Sequence, residues 1–257
     1  MSIHPTAMID PSAEIAARAH VGAYSVIGPN VKISENCFID HHANIERDTL
    51  LNEGCRVWPY ASIGTDPQDL KYQGEQTRLT IGARSRFREF VTINRGTAEG
   101  GGVTSIGDDC LIMAYSHVAH DCHLGNRVVM ANASNLGGHV TIEDNVGLGG
   151  MVVVHQFCRI GKHAFIGGDS GIGQDVAPYM LYEGRRTAPL SINSIGLKRS
   201  GFSNEAIEAL KMAHRILFRS NNTVKKGVEL IKEQVPALPE IEYLLNFIAN
   251  SERGLMH

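Results

Sequence analysis

The sequence predicts a mainly β protein: a left-handed parallel β-helix of hexapeptide repeats over residues 1–178, with a small α-helical domain over 179–257. Three observations predict it. An aliphatic residue falls on every sixth position from Ile3 to Ile63, through Ile9, Ile15, Val21, Ile27, Ile33, Ile39, Ile45, Leu51 and Val57. The period resumes at Ile106 and holds through Ile112, Val118, Leu124, Met130, Leu136, Ile142, Leu148, Val154, Ile160 and Ile166 to Ile172. Past residue 178 it gives way to helical spacing. A period of six fits neither an α-helix nor a lone amphipathic strand. It fits a solenoid in which each hexad supplies one short strand and one corner, so that three hexads close a coil of about 18 residues. Residues one coil apart then stack about 4.8 Å from each other along the axis.

Residues 1–64 read as nearly uninterrupted repeat, with Gly22, Gly28 and Gly64 following the aliphatic where a corner needs close packing. Over 65–80 the pattern fails, because Asp69 and Glu75 would occupy aliphatic slots. A carboxylate does not enter an apolar core without a partner, so this stretch is expected to be a loop extruded from the coil. The phase returns at Ile81, Phe87 and Ile93. A glycine-rich stretch over 96–104 predicts a second loop, which moves the phase by one residue. Loops on a rigid solenoid are where function usually sits. The repeat ends near Asp175-Val176-Ala177-Pro178, and an irregular segment follows. Helices are expected over 203–220, with Ser203 as N-cap, over 224–235, and over 239–251 with Pro239 in the first turn. Such a block either caps the solenoid or binds a carrier or substrate.

The formal charge of -3 over 257 residues does not suggest a nucleic-acid-binding protein. There is no run of 18 apolar residues and no charged-then-apolar leader, so a cytoplasmic protein without stable membrane insertion is expected. The five cysteines, Cys37, Cys55, Cys110, Cys122 and Cys158, each lie four residues after a repeat aliphatic, a slot otherwise filled by small residues. They read as small inward hydrophobes, not as disulfides or a metal site. Flat-faced β-helices associate about an axis parallel to their own, and a three-faced section suggests a homotrimer.

Of twelve histidines, five bunch together: His117, His120, His123, His139 and His155. His120, His139 and His155 fall in hexads one coil apart, outside the inward slots, and are expected to form an outward ladder on one face near a subunit boundary. Three chemistries stay open at this point: a general base working near neutral pH, a zinc site with one open position, or surface histidines without a role. Asp121 could orient an imidazole, although neighbours along a strand point to opposite faces. Gly137-Gly138 would let a ligand approach the backbone, whose N–H could stabilise an oxyanion.

The stretches DPQDLKYQGE (66–75), NRGT (94–97), HVAHDCHLGN (117–126), GGHV (137–140), GGMVVVHQFC (149–158) and GLKRSGFS (196–203) together resemble the UDP-N-acetylglucosamine 3-O-acyltransferases, which perform the first step of lipid A synthesis. The resemblance covers nearly the whole chain. It implies that His120 is the general base toward the sugar 3-hydroxyl, supported by Asp121, with the Gly138 N–H as oxyanion donor. It implies a substrate site of Gln68, Asp69, Lys71, His117, His139, His155 and Gln156, with Asn193 and Arg199 at the nucleotide phosphate or pantetheine. Gly168 matches the position that limits acyl length. The implied donor is a (R)-3-hydroxyacyl acyl carrier protein bearing phosphopantetheine, and no further cofactor or metal is implied. The chain departs from the enterobacterial pattern at Asn94, Ile195 and Ser200, and the resemblance admits an acceptor with a 3-hydroxyl or a 3-amino group.

An acidic carrier protein needs a local basic patch. Lys198 and Arg199, then Lys211, Arg215 and Arg219 at spacings of four, would supply one on a helix face. A zinc hydratase on the same fold and a non-catalytic scaffold are the competing readings.

Overall fold

In a computed structural model describing residues 2–184 and 187–257, the chain winds as a left-handed parallel β-helix and ends in four helices. Among the described residues, two-to-five-residue strands stack into three sheets of 11, 9 and 8 strands. They are called faces A, B and C, in the order the chain visits them. Partners lie one coil apart, as in Ser2 with His20 and His117 with Asn135.

Most corners from the second coil onward share one local build. The residue three after the aliphatic takes a left-handed backbone, with φ of 57° at Asn30, 58° at Asp121 and 62° at His139. Asn, Asp and His tolerate that region better than most. The residue two after the aliphatic is proline at Pro5, Pro11, Pro29, Pro59 and Pro178. Proline has no N–H to give, so the ladder does not draw on this position.

The aliphatic and small slots form one buried core, from Val21 through Ile63 and Val118 to Ile172. The first coil departs from expectation: Ile3 is 36% exposed, and Ile9 and Ile15 are only partly buried. Among the described residues no coil packs beneath them. All five cysteines are buried and free, and burial pushes the Cys122 thiol up to about 12, well away from the reactive thiolate.

Face B strand Ser62–Thr65 and face C strand Arg78–Ile81 bracket the first loop, so it spans 66–77 and is shorter than the 65–80 expected. Thr92–Asn94 and Val103–Ile106 bracket the second at 95–102, where 96–104 was expected. Both loops leave the corner between faces B and C.

The segment after 178 is not irregular. Met180–Glu183 adds to face A in parallel with Phe165–Ile166, then pairs antiparallel with Ala188–Ile192. A short helix absent from the sequence reading, α1 (Ser194–Arg199), follows with Asn193 as its cap. Then come α2 (Asn204–Phe218), capped by Ser203, α3 (Val224–Gln234), capped by Thr223, and α4 (Pro239–Ala249). The helices do more than close an end. The Tyr243 hydroxyl of α4 donates to Glu143 at 2.8 Å, and Lys162 Nζ lies 3.4 Å from the Tyr243 ring centroid.

Candidate active site at the corner between faces B and C

Five successive turns of the B–C corner carry the two loops, then His120-Asp121, Gly138-His139 and Gln156-Phe157. Asp121 is a corner residue, not a strand residue. Its left-handed backbone turns its side chain back beside its neighbour, so the opposite-face objection does not apply. His120 Nδ1 and Asp121 Oδ2 are 2.8 Å apart, with Asp121 almost fully buried and His120 at 14% side-chain exposure. Because Nδ1 engages the carboxylate, Nε2 is the nitrogen left to accept a proton.

One coil on, Gly138 lies directly against the His120 ring; a Cβ there would come within 2.6 Å of Cε1. Gly138 occupies the corner position that elsewhere holds proline, and its N–H enters no backbone hydrogen bond among the described residues. His139 packs edge-on to His120 with centroids 5.2 Å apart and stacks on Phe157 at 4.4 Å. Burial, and the charge of His120, hold His139 toward the neutral form, opposed by Asp121. Burial, with His120 second, acts the same way on His117, whose Nδ1 is 2.7 Å from Thr92 Oγ1.

The ladder is therefore His120, His139 and Phe157. His155 does not join it: its Nδ1 faces the Gln156 carbonyl at 3.1 Å and Arg253 at 3.4 Å. His123 lies on face C against Ser105. His120, Asp121 and His139 bring ligand-type atoms within 4.8 Å of one another. The Asp121 oxygens already take hydrogen bonds from the Thr97 N–H at 2.8 Å and hydroxyl at 2.7 Å, beside the His120 contact. That donor set suits a proton-transfer pair better than a metal ligand.

The loops carry residues that the sequence reading missed. Arg95, one of the largest fully buried side chains among the described residues, donates to the Gly64 carbonyl, to Asp66 and to the Tyr72 hydroxyl, pinning the root of the first loop. Asn94 is buried too; its amide donates to Thr65 Oγ1 at 2.8 Å and the Asp66 carbonyl at 2.9 Å. Asp69 and Lys71 line a 30 Å³ cleft with Thr97 and Glu99, and Lys71 pairs with Glu99 at 3.0 Å, bridging the loops. Gln68 is exposed nearby. The signal for Arg95 and Thr97 was their place in NRGT, but nothing periodic assigns them partners.

Asn193 and Arg199 are not at this corner. They line an 880 Å³ cavity on face A and its border with face C, with Arg127, Val129, Gly147 and Phe165. Ile195 and Ser200 line it as well. Gly168 sits at the A–B corner, where a Cβ would lie 3.0 Å from the Gly150 carbonyl oxygen. On α2, Lys211 pairs with Glu208 at 2.7 Å, and Arg219 at its C-cap donates to the Leu190 carbonyl at 2.7 Å, leaving Arg215 the more available cation. No helix among the described residues is long and apolar enough to cross a membrane.

Comparison with known proteins follows the same lines. Residues 175–256 match the family described as UDP N-acetylglucosamine O-acyltransferase, domain 2, and residues 104–138 match the bacterial transferase hexapeptide. A curated acyl-(acyl-carrier-protein)–UDP-N-acetylglucosamine O-acyltransferase of Syntrophobacter fumaroxidans is 48% identical over 257 residues, covering 100% of both chains. That of Thermodesulfovibrio yellowstonii is 47% identical over 253 residues, 98% of each. The solved UDP-N-acetylglucosamine acyltransferase of Francisella novicida superposes with a TM-score of 0.95 at 39% identity, covering 99% of this chain and 93% of its own.

Proposed function

Since the chain belongs to the acyl-carrier-protein-dependent UDP-N-acetylglucosamine O-acyltransferase family, we propose that it transfers a (R)-3-hydroxyacyl group from acyl carrier protein to the 3-position of UDP-N-acetylglucosamine, or of its 3-amino analogue, in the first step of lipid A biosynthesis. The observation carrying this reading is the His120–Asp121 pair, 2.8 Å apart, set over the unengaged Gly138 N–H. His120 Nε2 takes the proton of the sugar 3-hydroxyl as that oxygen attacks the thioester carbonyl. The Gly138 N–H faces the oxyanion so formed. The C–S bond then breaks, and the phosphopantetheine sulfur leaves with the proton held by His120. Asp121 keeps the imidazole in the tautomer that accepts at Nε2 and stabilises the imidazolium. Asp69, Lys71 and Gln68 approach the sugar nucleotide from the first loop, with His117, His139 and Gln156 alongside. Their arrangement at one corner supports those roles; His155, turned toward Arg253, stands outside them.

Asn193 and Arg199 join this site only if a second copy brings them. Faces A and B expose Val129, Phe165, Val26 and Val153, and the A–B corner exposes Tyr24, Tyr60, Phe90, Tyr115 and Met151. Face C is polar by contrast. A homotrimer with the A–B corners pointing inward covers this apolar surface. Face A of one protomer then meets face B of its partner, and the Asn193–Arg199 cavity of one faces the His120 corner of the next. The cavity's apolar floor on face A leads toward the A–B corner, which suits an acyl chain running to Gly168. The cytoplasm is the compartment where acyl carrier protein and UDP-sugar meet, and no stable insertion in a membrane is needed.

The test offers the purified protein both UDP-sugars with hydroxyacyl carrier proteins of several lengths and weighs the products. One acylated sugar and free carrier protein are expected. Light scattering is expected to give three chains per particle. His120→Ala is expected to lose 10²–10⁴-fold in turnover, the usual worth of a general base. A variant holding more than half the wild-type kcat removes His120 from the reaction.

A further inference from the structure

We infer that Thr97, at the root of the second loop, is a positioning residue for the His120–Asp121 pair. This rests on His120 being the base proposed above. Thr97 reaches Asp121 twice: its N–H donates to Oδ1 at 2.8 Å and its hydroxyl to Oδ2 at 2.7 Å. The direction of the hydroxyl proton follows from its other partner. The Gly100 N–H donates to Thr97 Oγ1 at 3.1 Å, filling an acceptor site and turning the single hydroxyl proton toward the carboxylate. The result is a chain of donors, from Gly100 N–H through the Thr97 hydroxyl to Asp121 Oδ2, which also receives His120 Nδ1.

The carboxylate is held from several sides. Its own backbone N–H donates to Thr104 Oγ1 at 2.8 Å. A Cβ at Gly100 would fall 2.0 Å from the Asp121 Cγ, so the loop closes on the carboxylate only with glycine there. The Gly102 N–H donates to the Thr97 carbonyl at 2.7 Å, folding the loop back on itself. An acid this buried cannot turn to water for orientation, so the two Thr97 bonds fix which oxygen faces His120. The glycine-rich stretch is thus a clasp on the pair, built as an insertion into the corner just before it.

The test uses the full-length protein with Thr97→Val, Thr97→Ser, Gly100→Ala and the His120→Ala reference. Thr97→Val keeps the backbone donor and removes the hydroxyl. It is expected to lower kcat on the order of 10–100-fold, the usual worth of a hydrogen bond to a charged group. KM for the UDP-sugar is expected to stay within about twofold. Thr97→Ser should restore most of the rate. Gly100→Ala pushes the carboxylate from the other side and should lower kcat in the same way, which decides the matter if Thr97→Val fails to fold. Wild-type kcat in a folded Thr97→Val, with His120→Ala inactive, overturns the inference and leaves the base in place. High activity in His120→Ala overturns the reading beneath it, whatever Thr97 does.

Discussion

Gly138 and His120 are in contact across one turn of the coil: a methyl group on Gly138 would sit 2.6 Å from Cε1 and 2.8 Å from Nε2 of the imidazole. The backbone that offers the N–H and the ring that takes the proton therefore share one small space. Gly138→Ala is expected to push the ring off its bond to Asp121. Turnover should fall by about 10²-fold, near the cost of losing one oxyanion donor, with the thermal midpoint little changed. A steady-state assay with a melting curve checks this, and a rate within threefold of wild type would mean that the ring moves aside without consequence.

Gly168→Met should shorten the preferred acyl chain. The glycine stands at the A–B corner, next to Gly150, where the trimer proposed above closes the groove. A methionine there occupies the length of about three to four methylenes, and each buried methylene is worth about 0.8 kcal/mol. Competition between carrier proteins of different acyl length gives the profile directly. An unchanged profile places the acyl chain elsewhere.

Arg215→Glu should raise KM for acyl carrier protein and leave the UDP-sugar affinity alone, with the wild-type KM climbing as salt is added. Lys211 is paired and Arg219 holds the Leu190 carbonyl, so charge reversal at 215 disturbs the fold least. Arg219→Glu should raise KM as well, but with a lower melting point. A KM indifferent to salt and to both reversals would leave the helices as a support for the coil.

Acid should destabilise the fold below about pH 6.5. Burial lowers the pKa of His117, His163 and His214 from the ordinary value of 6.5. Between the folded and unfolded values the unfolded chain binds more protons, so stability rises with pH through that window and is lost as pH falls through it. The melting midpoint should drop from pH 7.5 to pH 5, by about 2–4 °C for each kcal/mol lost. His214→Asn should flatten part of that slope; parallel slopes for variant and wild type would clear His214 of a share.

The fold was legible because its period writes itself into the sequence once per hexad. Even the shift of phase at the second loop could be read from Ile93 and Ile106. The candidate site was legible only where it lies on the same lattice: that His120, Gly138 and His139 meet at one corner follows from counting coils. His155 shares the corner, yet its ring turns toward Arg253, from the far end of the chain. Thr97 and Arg95 act inside segments that have left the lattice, where spacing assigns no partner. Asn94, expected to bear on the acceptor, proves to be spent on Thr65 and Asp66. The helix Ser194–Arg199 is a single capped turn and a half, too short to show a face.

The coil has something like a reading frame. Across the first loop the pairing separation rises from 18 to 30, as in Asn44 with Ser62 and then Ser62 with Thr92. Across the second it is 25, as in Thr92 with His117. The first excess, twelve residues, is two whole hexads; the second, seven, is one hexad and one residue. Inside a strand a one-residue insertion would turn every following side chain inside out. At the B–C corner the chain has absorbed both lengths and re-entered the core each time with an aliphatic residue facing inward. That corner is where length can be gained or lost without renumbering the rest of the solenoid. The candidate site sits where the frame could be broken, so loops could be tried, lengthened and kept while the scaffold beneath stayed the same.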